Sequence, residues 1–285
     1  MSASVAPPAT ALEADVARAR AGDRAALERV VRGVQKDVHS LALRFLWHPQ
    51  DAEDASQEIL VRIVTGLADF RGESAFRTWV YRVACNALLN LRRQRMEERA
   101  MTFDAFAADL AEGLQDDADD GPRTPERALL LEEVKIGCTL AMLLCLDRDH
   151  RMAYILGEIL ELDHVEAAEV LGIEPAAFRK RVSRARSRIV ALMAQRCGLV
   201  EPNNACRCAK RVDTAVTLGR VDPQHLLFAS SAEQARAFPE VLHEIRRLEH
   251  TQRAAALYRS HPQPPGSERF VLWLRQVLEH GPVPS

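Results

Sequence analysis

Apolar residues recur along most of this chain at the three-and-four spacing of an amphipathic helix. Val- and Thr-rich alternating runs are nearly absent, so strands are hard to place. Ala52, Ala55, Ile59 and Ile63 form one stripe. Phe76, Val80, Val83, Ala87, Leu88 and Leu91 form a second, on a helix expected from about Ser74 to Arg95. Phe178, Val182, Ala185 and Ile189 form a third. Ser231 to Tyr258 reads as helical, with Phe238, Val241, Leu242, Ile245 and Leu248 on one side. After HPQPPGSER comes a last helix carrying Phe270, Trp273, Leu274 and Val277. The pattern predicts an all-α fold.

The punctuation around the third stripe is specific. Met152 to Leu160 is apolar and helical, and Asp163 suits the N-cap of a helix from His164 to Leu171. Gly172 permits the left-handed conformation that ends a helix, and Pro175 suits the first turn of the next. A helix, a tight glycine turn and a second helix make a helix-turn-helix.

Composition refines this picture. At about 100–200 residues per domain, 285 residues fit two domains, or two plus an extension. With 47% hydrophobic and 27% charged residues the chain is globular. It has no long apolar run for a membrane span and no secretory leader, so a cytoplasmic location is expected.

The formal net charge of −2 hides strong local bias. Half of the stretch FRKRVSRARSRI, Phe178 to Ile189, is Arg or Lys. Asp104 to Asp120 holds seven acids and no base, and Met96 to about Pro125 reads as a poorly packed acidic linker. Arg82, Arg92, Arg93 and Arg95 lie in a run without acids. Two basic units on an acidic tether suit two contacts with one polyanion.

The basic helix is either a solvated face or a major-groove reader. Asp51, Asp54, Gln57 and Glu58 share the side opposite the first stripe, either as ordinary surface or as a dock for a basic helix. Trp79, Tyr81, Arg82, Asn86, Asn90, Arg92 and Arg93 supply aromatic, amide and cationic groups that suit single-stranded nucleic acid. Trp79 also fits a core, and one residue can serve both ends.

Of six cysteines, Cys85, Cys138, Cys145 and Cys197 sit in apolar helical patterns and read as core fillers. Cys206 and Cys208, beside Arg207, Lys210 and Arg211, are expected to have lowered pKa values. They suit zinc or copper, with Cys197, His225 or His243 completing the set, a redox switch, or a structural role.

Four ordered segments, AGDRAALERVV, DAEDASQEILVRI, FRGESAFRTWVYRVACNALLNLRRQR and AAEVLGIEPAAFRKRVSRARSRI, make the chain resemble an extracytoplasmic-function (ECF) sigma factor of bacterial RNA polymerase. The resemblance covers roughly Ala11 to Gly198. It implies a disordered start (1–10), sigma region 2 (11–95), the acidic linker (96–126), sigma region 4 with the helix-turn-helix (127–198), and a regulatory helical extension (199–285). The implied partners are core polymerase, through its clamp helices and flap, promoter DNA both duplex and melted, and an anti-sigma factor. Free in solution, the chain is expected to be a monomer, and no membrane is involved.

On this resemblance Asp51, Asp54, Gln57 and Glu58 hold the clamp helices. Trp79, Arg82, Asn86, Arg92 and Arg93 capture flipped bases of the downstream element. Arg179, Lys180, Arg181, Ser183, Arg184 and Arg186 read the upstream element. The linker passes through polymerase's nucleic-acid channels, its acidity mimicking RNA. Ala177 and Lys180 stand where the family often has hydroxyl residues, which alters promoter preference.

No cofactor is required on this view. The rival readings are an operator-binding regulator that does not direct polymerase, and an enzyme. The chain has no P-loop, dinucleotide fingerprint, nucleophile elbow or paired-His motif to support an enzyme.

Overall fold

The computed structural model describes residues 9–91, 101–112, 114, 124–262 and 268–280. The described residues form helices and no strands, with one isolated bridge between Cys197 and Cys206. None of these helices is long and apolar enough to cross a membrane. The chain divides into two compact units.

The first unit contains α1 (Ala9–Arg20), α2 (Arg24–Leu46), α3 (Pro49–Gly66), a 3₁₀ turn (Leu67–Asp69), α4 (Phe76–Asn90) and the last helix, α13 (Glu268–His280). Local chemistry sets the boundaries. The Asp23 carboxylate accepts from the Ala26 N–H at 2.9 Å and caps α2. Pro49 opens α3, where its missing N–H has no partner to lose.

Helix α2 is the hub, packing on α1, α3, α4 and α13. Val30, Val34, Leu41 and Phe45 of α2 are fully buried among Ala52, Ile59 and Ile63 of α3 and Phe76, Val80 and Leu88 of α4. Each large side chain buried this way contributes about 1.5–3 kcal/mol. α13 buries Phe270, Val271 and Leu274, and Arg275 pairs with Glu28 of α2 at 2.5 Å. The stripe expected on this helix included Trp273, which is instead 43% exposed. A helix resting on one neighbour buries a narrower face than one sunk in a bundle.

The second unit contains α5 (Phe103–Ala111), α6 (Pro125–Leu143), α7 (Arg148–Tyr154) running into a π-helical turn (Ile155–Ile159), and the start of α8 (His164–Leu171). It continues with α9 (Pro175–Arg196), α10 (Cys208–Thr217), α11 (Ala232–Arg247) and α12 (His250–Arg259). α9 packs on α5, α7 and α12, and α6 on α10 and α11.

The acidic segment corrects the expectation of a poorly packed linker over 103–111. Phe106 and Leu110 are buried, and α5 lies on α9. Asp109 is held by Arg220 at 2.6 Å and by Arg211 at 3.1 Å. The densest acidic run, residues 115–120, lies outside the described residues.

Residues 199–262 are built into this unit. The buried Glu133 carboxylate of α6 accepts the backbone N–H groups of Leu227, Phe228 and Ala229, each at 2.8 Å. The Tyr258 hydroxyl donates to the Thr139 carbonyl at 2.9 Å. Arg246 donates to the carbonyl of Gly198 at 2.9 Å.

Candidate nucleic-acid interface

The helix-turn-helix is set by short-range geometry. Asp163 accepts from the Val165 N–H at 2.8 Å and starts α8. Gly172 takes φ +63, which a side chain disfavours. Glu174 and Pro175 then start α9. Phe178, Val182, Ala185 and Ile189 are buried, as their spacing predicts. Gly157 in the π turn lets α9 approach closely: a Cβ there would meet Val182 Cγ2 at 3.1 Å and the Phe178 ring at 3.3 Å.

The outer face of α9 divides the six expected upstream-element residues into two groups. Arg179, Lys180, Ser183 and Arg184 are exposed. Arg181 is paired with Asp149 of α7 at 2.9 Å. Arg186 is paired with Glu158 of the π turn, and that hydrogen bond raises its pKa further. Two of the six therefore anchor the helix to its own unit. Neither acid stands close enough in sequence for a pattern to reveal the pairing.

In the first unit, α3 turns Asp54 and Glu58 to solvent, with Asp51 and Gln57 half-buried. Asp54 accepts from Gln50 at 3.1 Å, and Arg62 pairs with Glu58 at 2.5 Å. Gln57 donates to Glu53 at 2.8 Å. The face is acidic and held in order by links one helical turn apart.

On α4, Trp79 stacks on Phe76 with ring centroids 5.6 Å apart and meets Phe70 at 5.6 Å. Its edge lies over Gly66, where a Cβ would sit 3.5 Å away. The indole is half-buried: one part is fixed in the aromatic cluster and the rest stays accessible. Arg82 is half-exposed and Asn86 exposed, one and two turns farther along the helix. Arg92 and Arg93 lie outside the described residues.

The cysteines depart from expectation. Cys206 and Cys208 do not have lowered pKa values. Burial pushes the Cys206 thiol up to about 11, and Arg207 and Arg211 do not offset it. Cys208 is raised in the same way. Desolvation disfavours a buried thiolate more than nearby cations favour it.

The histidines named as co-ligands lie elsewhere. His225 pairs with Asp222 at 3.1 Å in an exposed turn, and His243 is exposed. Cys197 stands beside Cys206 through an isolated backbone bridge. Among the described residues no group of three or more His, Cys, Asp or Glu side chains is arranged to hold a metal ion.

Two family models match the chain: Sigma-70 region 2 over residues 30–98, and Sigma-70 region 4 over residues 136–189. The RNA polymerase sigma-H factor of Pseudomonas aeruginosa is 34% identical over 179 residues, spanning 61% of this chain and 89% of the relative. The ECF RNA polymerase sigma-E factor of Escherichia coli K12 is 33% identical over 175 residues, spanning 61% and 90%. Among solved structures, CnrH in complex with the cytosolic domain of CnrY is 26% identical, covering 64% of this chain and 97% of that one, with a TM-score of 0.45.

Proposed function

The chain belongs to the ECF sigma factors of bacterial RNA polymerase, and we propose that it directs initiation through three faces of its two units. It is a transcription initiation factor and not an enzyme: polymerase performs the chemistry.

The observation that carries the proposal is the outer row of α9. Arg179, Lys180, Ser183 and Arg184 are exposed on a helix that follows a glycine turn, while Asp149 and Glu158 hold Arg181 and Arg186. A fixed helix with a polar, cationic outer row suits the major groove. Arginine and lysine there meet guanine edges and phosphates, and serine bonds to either. Arg181 and Arg186 position this helix.

The Asp54 and Glu58 face of α3, flanked by Asp51 and Gln57, takes the clamp helices of core polymerase. Trp79, Arg82 and Asn86 take the flipped bases of the melted downstream element, and Arg92 and Arg93 follow its backbone. Stacking on an aromatic side chain contributes about 1–3 kcal/mol per base, of the order needed to offset unstacking. Trp79 is already fixed by Phe70 and Phe76, so little ordering cost remains when a base arrives. An anti-sigma factor is a further partner, competing for these faces.

Residues 199–285 act in cis on the promoter reader. Supporting this, Arg259 of α12 pairs with Glu161 at 2.5 Å and donates to the Glu158 carbonyl at 3.1 Å, beside the anchor of Arg186. The Cys206–Cys208 segment is the proposed responsive element.

Run-off transcription with core polymerase and the full chain on genomic promoter fragments tests the proposal. Promoter-specific start sites are expected. Asp54→Lys should abolish them by preventing association with core enzyme. Lys180→Ala with Arg184→Ala should abolish them with association intact. No association of the unsubstituted chain with core enzyme, or unaltered start sites once bound, overturns it.

A further inference from the structure

A cleft of about 290 Å³ opens between α6 and the extension, inside the second unit. That is near the small end of the ~300–1,000 Å³ usual for ligand sites. Leu131 of α6, Leu199, and Phe238 and Leu242 of α11 supply its apolar walls. Its charged groups are Glu132 and Lys135 of α6 with Arg207 and Arg246, three cations against one acid.

These four groups are not equivalent. Lys135 and Glu132, one turn apart, are both buried and pair at 2.5 Å. The Lys135 ammonium also sits over the face of Phe238, 3.4 Å from the ring centroid. The one acid is thus matched within the wall. Arg207 donates to the carbonyls of Asn204 and Pro202, both at 2.8 Å. Arg246 donates to the carbonyls of Gly198 and Leu199, at 2.9 Å and 3.3 Å. Those acceptors are neutral dipoles. They fix both guanidiniums in place and do not neutralise them.

A guanidinium presents its N–H donors in a planar fork that matches a carboxylate. Because the fork is already held, little ordering cost remains when an anion arrives. A bare inorganic anion would leave the apolar walls uncovered. A neutral apolar molecule would leave two cations without a counter-ion. The combination suits a ligand that has both parts.

We propose that this cleft binds a small organic carboxylate with an apolar body, the body against Leu131, Leu199 and Leu242 and the carboxylate towards Arg207 and Arg246. Such a ligand touches α6 of the promoter reader and α11 of the extension together, so its binding stabilises their contact. Occupancy of the cleft is independent of whether the chain directs polymerase, and the two fail separately.

Phenylacetate is the probe, added to the full chain carrying carbon-13 in its leucine methyl groups. The methyl resonances of Leu131, Leu199 and Leu242 should shift and saturate at one probe per chain, while those of Leu41 and Leu60 in the first unit stay in place. 2-Phenylethanol keeps the ring and lacks the charge; acetate keeps the charge and lacks the ring. Each should bind at least about tenfold more weakly. Inorganic phosphate should not displace the probe. Arg246→Gln should weaken phenylacetate by about tenfold or more and leave 2-phenylethanol unchanged. Arg207→Gln is the second variant should the first fail to fold, and the methyl map of the unsubstituted chain needs neither. Three unmoved leucine methyl groups overturn the proposal. So does 2-phenylethanol binding as tightly as phenylacetate, displacement by phosphate, or full affinity in the Arg246→Gln chain.

Discussion

Tyr258 of the extension meets Tyr154 of the helix-turn-helix unit edge to face, with ring centroids 5.9 Å apart. Both side chains are fully buried. The extension therefore supplies part of the core on which α9 rests. Tyr258→Ala should destabilise this unit by about 3 kcal/mol, the lower end for emptying a large aromatic site. Urea denaturation followed by circular dichroism measures it, and a loss below about 1 kcal/mol would show that the extension folds apart from the core.

Gly198 sets a second prediction. An alanine there drives its Cβ against the Cys206 carbonyl oxygen and the Arg207 guanidinium, and the backbone atom cannot swing aside as a side chain would. Gly198→Ala should cost about 1–3 kcal/mol and displace the loop that carries Cys206. Urea denaturation should show the transition of the second unit moved to lower denaturant while the first unit unfolds as before.

Arg184 and Arg186 are two residues apart on α9 and should behave differently. Arg184 is exposed, so Arg184→Ala should leave stability within about 0.5 kcal/mol. It should also lower the slope of log affinity against log salt by about 1 if the residue meets a phosphate. Arg186 is held by Glu158, so Arg186→Ala should cost up to about 1 kcal/mol of stability and leave that slope unchanged. Fluorescence anisotropy with duplex promoter DNA over a salt series, beside thermal melts, separates the two.

Asp109 links α5 to α10, and its hydrogen bond from Arg220 holds its carboxyl below the ordinary carboxylate range. A group with a depressed folded pKa stabilises fully above its unfolded value and loses that contribution as pH falls through the folded one. The second unit should therefore lose stability as pH drops below about 4. Asp109→Asn should flatten that part of the curve. Denaturant midpoints from pH 6 to pH 3 for both chains make the comparison, and identical acid slopes would sink it.

What could be read from the sequence was local. Asp163, Gly172 and Pro175 act within one or two turns of themselves, so the helix-turn-helix followed from backbone preferences and a hydrophobic period. The same holds for the acidic face of α3 and for the aromatic and amide groups of α4. The expectation for 103–111 failed because composition describes solvation and says nothing of partners: Arg211 and Arg220, about a hundred residues on, supply the charge that holds Asp109.

Only the tertiary structure separated the arginines that anchor α9 from those left to solvent, since Asp149 and Glu158 reach the helix across the unit. It alone set Cys197 beside Cys206, and it reversed the expected thiol pKa shift. Charges nearby in sequence were visible from the start, but burial is a property of the folded unit, and in a low-dielectric interior it outweighs them.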